Sequence, residues 1–85
     1  MKMIRHVVQD QLGIHARPAG QIVKLSLGFR SEIKMAAAGK TVDSRRIMGL
    51  MGLGVHKGDE LTVTFEGDDE AAAAAAFSEY LNNFL

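Results

Sequence analysis

Apolar and polar residues alternate in short stretches of this chain and recur at helical spacing in others. Met3 to Val8 reads as a strand, β-branched toward its end. Gln9 to Gly13 is a polar turn closed by glycine. From Ala16 the period changes. Ala19, Ile22, Val23, Ser26 and Leu27 fall on one helical face, Pro18 sits in the first turn, and Gly28 marks the C-terminal stop. Ser31 to Met35 alternates again, with Ile33 and Met35 together on one face. Ala38-Gly39-Lys40 turns into a short strand, Thr41 to Asp43, which makes a hairpin.

The stretch from Ile47 to Gly54 is apolar but carries three glycines, which weaken a helix. It reads as a short helix, capped by Ser44 or starting just after it. Lys57-Gly58-Asp59 is a turn. Leu61 to Phe65 alternates cleanly, with Leu61, Val63 and Phe65 facing a core. Gly67-Asp68-Asp69-Glu70 opens a last helix, its acids placed where the helix dipole favours them. Ala71 to Ala76 is the best helix-forming run, and Phe77, Leu81 and Phe84 carry its apolar stripe. The order is β-α-β-β-α-β-α. Helices that punctuate antiparallel strands predict an α+β fold with the helices packed on one face of the sheet.

Length and composition narrow the function classes. With 85 residues, 47% of them hydrophobic, one ordered domain spanning 1–85 is expected. Formal net charge is zero, so no long-range field points to nucleic acid or an anionic membrane. The absence of cysteine excludes disulfides, thiol catalysis and cysteine metal sites. No apolar run approaches the ~20 residues of a membrane span, and the N-terminus lacks a signal-peptide core. A soluble, cytoplasmic protein is the expectation.

The chemistry concentrates in Gly13-Ile14-His15-Ala16-Arg17-Pro18-Ala19. It places an imidazole at the mouth of a helix N-terminus, where backbone N–H groups lack intrahelical partners and the dipole is positive. Such a site suits an anion, phosphate above all. His15 has a nitrogen lone pair, and histidine's ordinary pKa of ~6.5 leaves a neutral fraction at cellular pH, so it can act as a covalent nucleophile. Arg17 offers a planar fork of donors for phosphoryl oxygens. Pro18 fixes the first turn and leaves the Ala16 and Arg17 N–H groups free to face the phosphate. Read alone, a histidine here is more often a capping or merely exposed residue. His6, in a strand, and His56, before a turn, have no ligand spacing, so no metal and no other cofactor is expected. Phe29 and Tyr80 belong at the edge of the core.

Ile47, Met48, Leu50 and Met51 supply candidate docking residues, because methionines and glycines suit an adaptable apolar surface. Leu50 and Leu53 should be the more buried, and Ile47, Met48 and Met51 the more exposed.

These residues resemble the HPr family, the histidine-containing phosphocarriers of the bacterial sugar phosphotransferase system. The Gly13–Ala19 segment is similar to the family's active-site motif. Gly39-Lys40 with Ile47–Gly54 resembles its second signature, and Lys57–Leu61 and Gly67–Glu70 fit as well. The resemblance spans essentially the whole chain. It implies an open-faced β-sandwich of four antiparallel strands covered on one face by three helices. It implies a phosphocarrier, not an independent enzyme, that accepts a phosphoryl group from enzyme I, which takes it from phosphoenolpyruvate. The carrier then passes it to IIA domains of sugar transporters. The family's phosphohistidine is at Nδ1 and its usual state is monomeric. By the same resemblance Gln21 and Lys24 become rim contacts for partners, with Lys24 meeting acidic surfaces.

The chain departs from the family pattern twice. Many Gram-positive members carry a kinase-regulated serine directly before the Ile-Met pair. Here that position is Arg46, preceded by Arg45, so the serine switch is expected to be absent. Arg45 and Arg46 are expected to widen a basic rim around His15. Leu12 replaces a small polar residue. These departures keep two rivals in view: a regulatory paralogue phosphorylated on His15 but serving nitrogen-type or other signalling, and an interaction module that never carries phosphate.

Overall fold

A computed structural model describes residues Met1–Leu85. Its elements are β1 (Lys2–Val7), α1 (Ala16–Leu27), β2 (Glu32–Ala37), β3 (Lys40–Asp43), α2 (Ile47–Met51), β4 (Glu60–Glu66) and α3 (Glu70–Phe84). The strands form one antiparallel sheet in the order β1-β4-β2-β3. This is the open-faced sandwich: four strands, three helices, one covered face.

The register explains which face is covered. Ile4, Val63, Met35 and Val42 lie in one row across all four strands, and Phe65 pairs with Ile33 in the next. Because side chains alternate across a strand, these rows put Leu61, Val63, Phe65, Ile33 and Met35 under the helices, all fully buried. Thr62, Thr64, Lys34 and Met3 fall on the open side. Ile22 of α1, Leu50 of α2 and Phe77 of α3 close the core from above. Phe65 and Phe77 meet edge to face, with ring centroids 5.3 Å apart.

The β2–β3 hairpin turns through Ala38 and Gly39, with φ of 52° and 81°. Two positive φ values in a two-residue loop mark a type I′ turn, whose twist matches the strands. Gly39 adopts this freely, whereas Ala38 carries the steric cost of a Cβ in the left-handed region.

Three polar clamps tie the helices together behind the sheet. The Asp69 carboxylate accepts hydrogen bonds from the Arg30 N–H at 2.8 Å, the Ser31 N–H at 2.9 Å and the Ser31 hydroxyl. Asp69 is the N-cap residue of α3, yet its side chain holds the α1–β2 turn and leaves the amides of its own helix alone. The Arg45 guanidinium donates to the carbonyls of Phe29 and Ser31, both at 2.9 Å, and holds the same turn from the other side. The third clamp is buried. Ser26 Oγ donates to the Ile22 carbonyl at 2.8 Å, which leaves Ser44 to donate its own proton to Ser26 Oγ at 2.7 Å.

These clamps correct several expectations. Ser44 is wholly buried and caps nothing; Arg46 is the N-cap residue of α2, without a side-chain hydrogen bond. The Arg45 guanidinium is anchored on the Phe29 and Ser31 carbonyls, past the C-terminus of α1 and so at the opposite end of that helix from His15, and does not widen a rim around it. Leu27 is 66% exposed because the buried face of α1 runs through Ala19, Ile22 and Ser26, and Leu27 stands outside that strip. Phe84 is 62% exposed although Leu81 and Leu85 on either side of it are buried, so it lies at the outer edge of the α3 stripe. Gly28 does stop α1, but with a right-handed φ of −79°.

Two outcomes follow for stability. Replacing Ala38 by Asn relieves the left-handed alanine and should raise stability by about 1 kcal/mol in urea titrations. The Ser31 hydroxyl, followed by the Arg30 and Ser31 N–H groups, lowers the Asp69 pKa from the ordinary 3.8 to about 2. A lowered folded-state pKa gives stability that is present above pH 4 and lost as pH falls toward 2. Asp69→Ala should therefore melt below wild type at pH 6, and the gap should close as pH falls from about 4 to about 2.

Candidate functional site

The site begins at Gly13. Its φ is +64°, and a Cβ built there would lie 1.8 Å from the carbonyl oxygen of Val55. Only glycine permits so close an approach of the β1–α1 loop to the segment before β4. The loop is pinned elsewhere too. Asp10 Oδ1 accepts from the Leu12 N–H at 2.8 Å, the Gln9 and Asp10 N–H groups donate to the Leu85 carbonyl, and Ile14 is buried.

His15 emerges from this loop as the N-cap residue of α1, with extended backbone at φ −110° and ψ −171°. Its carbonyl accepts from the Ala19 N–H at 2.9 Å, which starts the helix. Its ring is half-exposed and makes no hydrogen bond within the protein. The Ala16 and Arg17 N–H groups also donate to nothing. Pro18, buried at the third helical position, has no N–H to satisfy. The first turn of α1 holds no acidic residue, and Arg17 forms no ion pair. Two free amides, a free guanidinium and a free imidazole thus share one helix end. Such an arrangement suits a tetrahedral anion, with the lone pair of an imidazole nitrogen at its edge.

A cleft of about 260 Å³ opens at this point, lined by Asp10, His15, Arg17, Pro18, Gln21, Tyr80 and Phe84. A larger apolar groove of about 470 Å³ continues along α1 and α3 past Leu25 and Phe29, and shares Gln21, Tyr80 and Phe84 with the cleft.

Residues 3–83 match the family model described as the PTS HPr component phosphorylation site. The chain belongs to the HPr family. Its fold agrees with solved members. It is 35% identical to HPr from Thermoanaerobacter tengcongensis, covering 98% of this chain and 93% of that one with a TM-score of 0.91. It is 35% identical to the phosphocarrier protein HPr of Bacillus anthracis, over 94% and 95% of the two chains, with a TM-score of 0.86. It is also 36% identical to Crh, the Bacillus subtilis catabolite repression protein described as a swapped dimer, over 89% and 87%, with a TM-score of 0.78.

Within this HPr fold, the residues singled out as docking candidates separate as expected. Met48 is 76% exposed, and Ile47 and Met51 are exposed, while Leu50 and Leu53 are buried. Gly49 lets α2 sit close to β3: a Cβ there would lie 3.3 Å from the Val42 Cβ. Gln21, Lys24 and Arg46 are exposed. Gln21 lines the His15 cleft, whereas Lys24 lies a turn further along α1, in the apolar groove. Sequence reasoning missed Asp10, Tyr80 and Phe84 as cleft residues. Tyr80 and Phe84 are four apart on α3 and so share a face, but nothing local says that this face ends beside His15.

The Gly13 contact has a direct consequence. Gly13→Ala must adopt a strained φ and push the loop off Val55, which should cost roughly 2–4 kcal/mol in thermal or urea unfolding. The His15 ring resonances should shift in the variant, because the loop that aims the ring has moved.

Proposed function

We propose that this chain is a phosphocarrier of the phosphoenolpyruvate-dependent phosphotransferase system, with His15 as the phosphoryl acceptor. One observation carries the reading: the unbonded His15 ring stands at the N-terminus of α1 beside the free Ala16 and Arg17 amides and the unpaired Arg17 guanidinium. A ring nitrogen lone pair attacks phosphorus as the donor's bond to phosphorus breaks. By the family resemblance that nitrogen is Nδ1. The three phosphoryl oxygens need donors, and the Ala16 and Arg17 amides with the Arg17 fork supply them without rearrangement. The protein transfers rather than turns over, so it is a carrier and not an independent enzyme.

The partners follow from the same reading. Enzyme I, charged by phosphoenolpyruvate, donates, and IIA domains of sugar transporters accept. Both dock over the exposed Ile47, Met48 and Met51, with Gln21, Lys24 and Arg46 at the rim. Such a surface suits modest, transient complexes. The carrier itself acts as a monomer in the cytoplasm.

The chain works without the serine switch. Arg46 stands where the regulated serine would be, and the neighbouring Ser44 hydroxyl is wholly buried and bonded to Ser26, out of a kinase's reach. The likeness to Crh gives weight to a second reading, a regulatory member phosphorylated on His15 but serving no transporter.

Incubation with phosphoenolpyruvate and enzyme I should give an acid-labile adduct that is absent in His15→Ala. Arg17→Ala should slow loading by about 100-fold, the scale seen when one donor to a developing anion is removed. Passage of the label to a sugar IIA domain supports the carrier; a loaded protein that no IIA domain discharges favours the regulatory reading. A serine kinase of the kind that modifies other HPr proteins, supplied with ATP, should leave no phosphoserine.

A further inference from the structure

We infer that Gln21 is a hydrogen-bond donor to the phosphoryl group carried on His15, and that Tyr80, reaching over from α3, is the positioning residue that holds Gln21 in that role. The inference rests on the carrier reading above and adds a second wall to the site.

Arg17 and Gln21 are four residues apart on α1, so their side chains project from the same face, and both line the cleft with His15. The opposite wall is Tyr80, 59 positions further along the chain. Its hydroxyl donates to Gln21 Oε1 at 2.6 Å. A glutamine amide has one acceptor oxygen and two N–H donors on its nitrogen. With the oxygen engaged by Tyr80, the amide's remaining groups are donors. A phosphoryl group on His15 has only acceptor oxygens. The opposite amide orientation would set an acceptor beside those oxygens, so the Tyr80 hydroxyl selects the orientation that fits the charge.

Two further features keep Tyr80 in this role. Its ring packs on Phe84, with centroids 5.2 Å apart, which fixes where the hydroxyl stands. Burial, with Asp10 adding and Arg17 opposing, raises the phenol above its usual pKa, so it keeps the proton it donates. Gln21 moves no proton in the transfer and Tyr80 touches no reacting atom. The covalent change is only the nitrogen–phosphorus bond that forms at His15 as the donor's bond breaks.

The experiment uses the full chain labelled with 15N and loaded by enzyme I and phosphoenolpyruvate. On loading, the Gln21 side-chain amide protons should move downfield in the wild type, and the shift should largely vanish in Tyr80→Phe, which keeps the ring and loses only the hydroxyl. Tyr80→Phe should also lower kcat for loading by about three- to tenfold with the KM of enzyme I for this chain little changed, the loss of one neutral hydrogen bond felt in the transition state. Gln21→Glu separates a donor from a strut. Its carboxylate still accepts from Tyr80 but turns an anionic acceptor toward the phosphoryl group, so it should load more slowly than Tyr80→Phe. Loading of Gln21→Glu at the wild-type rate, or Gln21 amide protons that stay put on loading, overturns the inference while the carrier reading stands. A wild-type chain that takes no phosphoryl group overturns both.

Discussion

The approach of the Gly13 backbone to the Val55 carbonyl is the contact on which the site depends. It leaves no room for a side chain, and it sets the β1–α1 loop against the segment leading into β4. With Ile14 buried beneath the loop, His15 can leave the core in an extended conformation, and α1 begins at the next residue. The free ends of Ala16 and Arg17 then point out beside the ring because a helix that starts there has nothing before it to accept from them. A loop allowed to drift would misplace all of these groups together. The hydrogen bonds from Gln9 and Asp10 to the Leu85 carbonyl add a second anchor from the far end of the chain, so α3 takes part in aiming the ring.

The rest of the molecule divides into a fixed rear and an open front. At the rear, Asp69 and Arg45 grip the α1–β2 turn from opposite sides, and the buried Ser26–Ser44 pair joins α1 to the end of β3. Each of these polar groups has its partners, so burial or partial burial carries little penalty and the helices cannot slide. At the front, Ile47, Met48 and Met51 face outward on a five-residue helix. Flexible methionines can re-pack against differently shaped surfaces. A rigid rear with an adaptable front suits a protein that serves several partners through one histidine.

What could be read from the sequence divides along the same line. Strand β4 was legible because alternation over Leu61, Val63 and Phe65 has one cause, a half-buried sheet. The Gly13–Ala19 segment was legible because glycine, proline and the histidine each have a local conformational reason for their place. Leu27 and Phe84 were misread, since helical spacing names a face but not how wide a strip of it the neighbouring elements cover. Arg45 and Ser44 were misread because their partners, Phe29, Ser31 and Ser26, come from α1 and the turn after it. Asp69 suits a helix start by the dipole argument, yet its carboxylate is spent on Ser31, a residue 38 positions away. Tyr80 and Gln21 fail in the same way: their meeting is a property of the α1–α3 packing, which no local period encodes.

A carrier must also release what it binds, and the composition of the site bears on this. Donors that held the phosphoryl group too well would stabilise the loaded state and slow the onward transfer, since only interactions stronger in the transition state speed the step. The site avoids a deep, fully desolvated anion hole. His15 is half-exposed and Arg17 is exposed, so solvent weakens each charge-assisted bond. The positive field is local as well, because ten basic and ten acidic residues leave the whole chain neutral. Attraction therefore acts at contact rather than at range, which favours brief complexes over tight ones. The free donors stand in place without a partner, so on the proposed reading loading and unloading would need no reorganisation of the helix end.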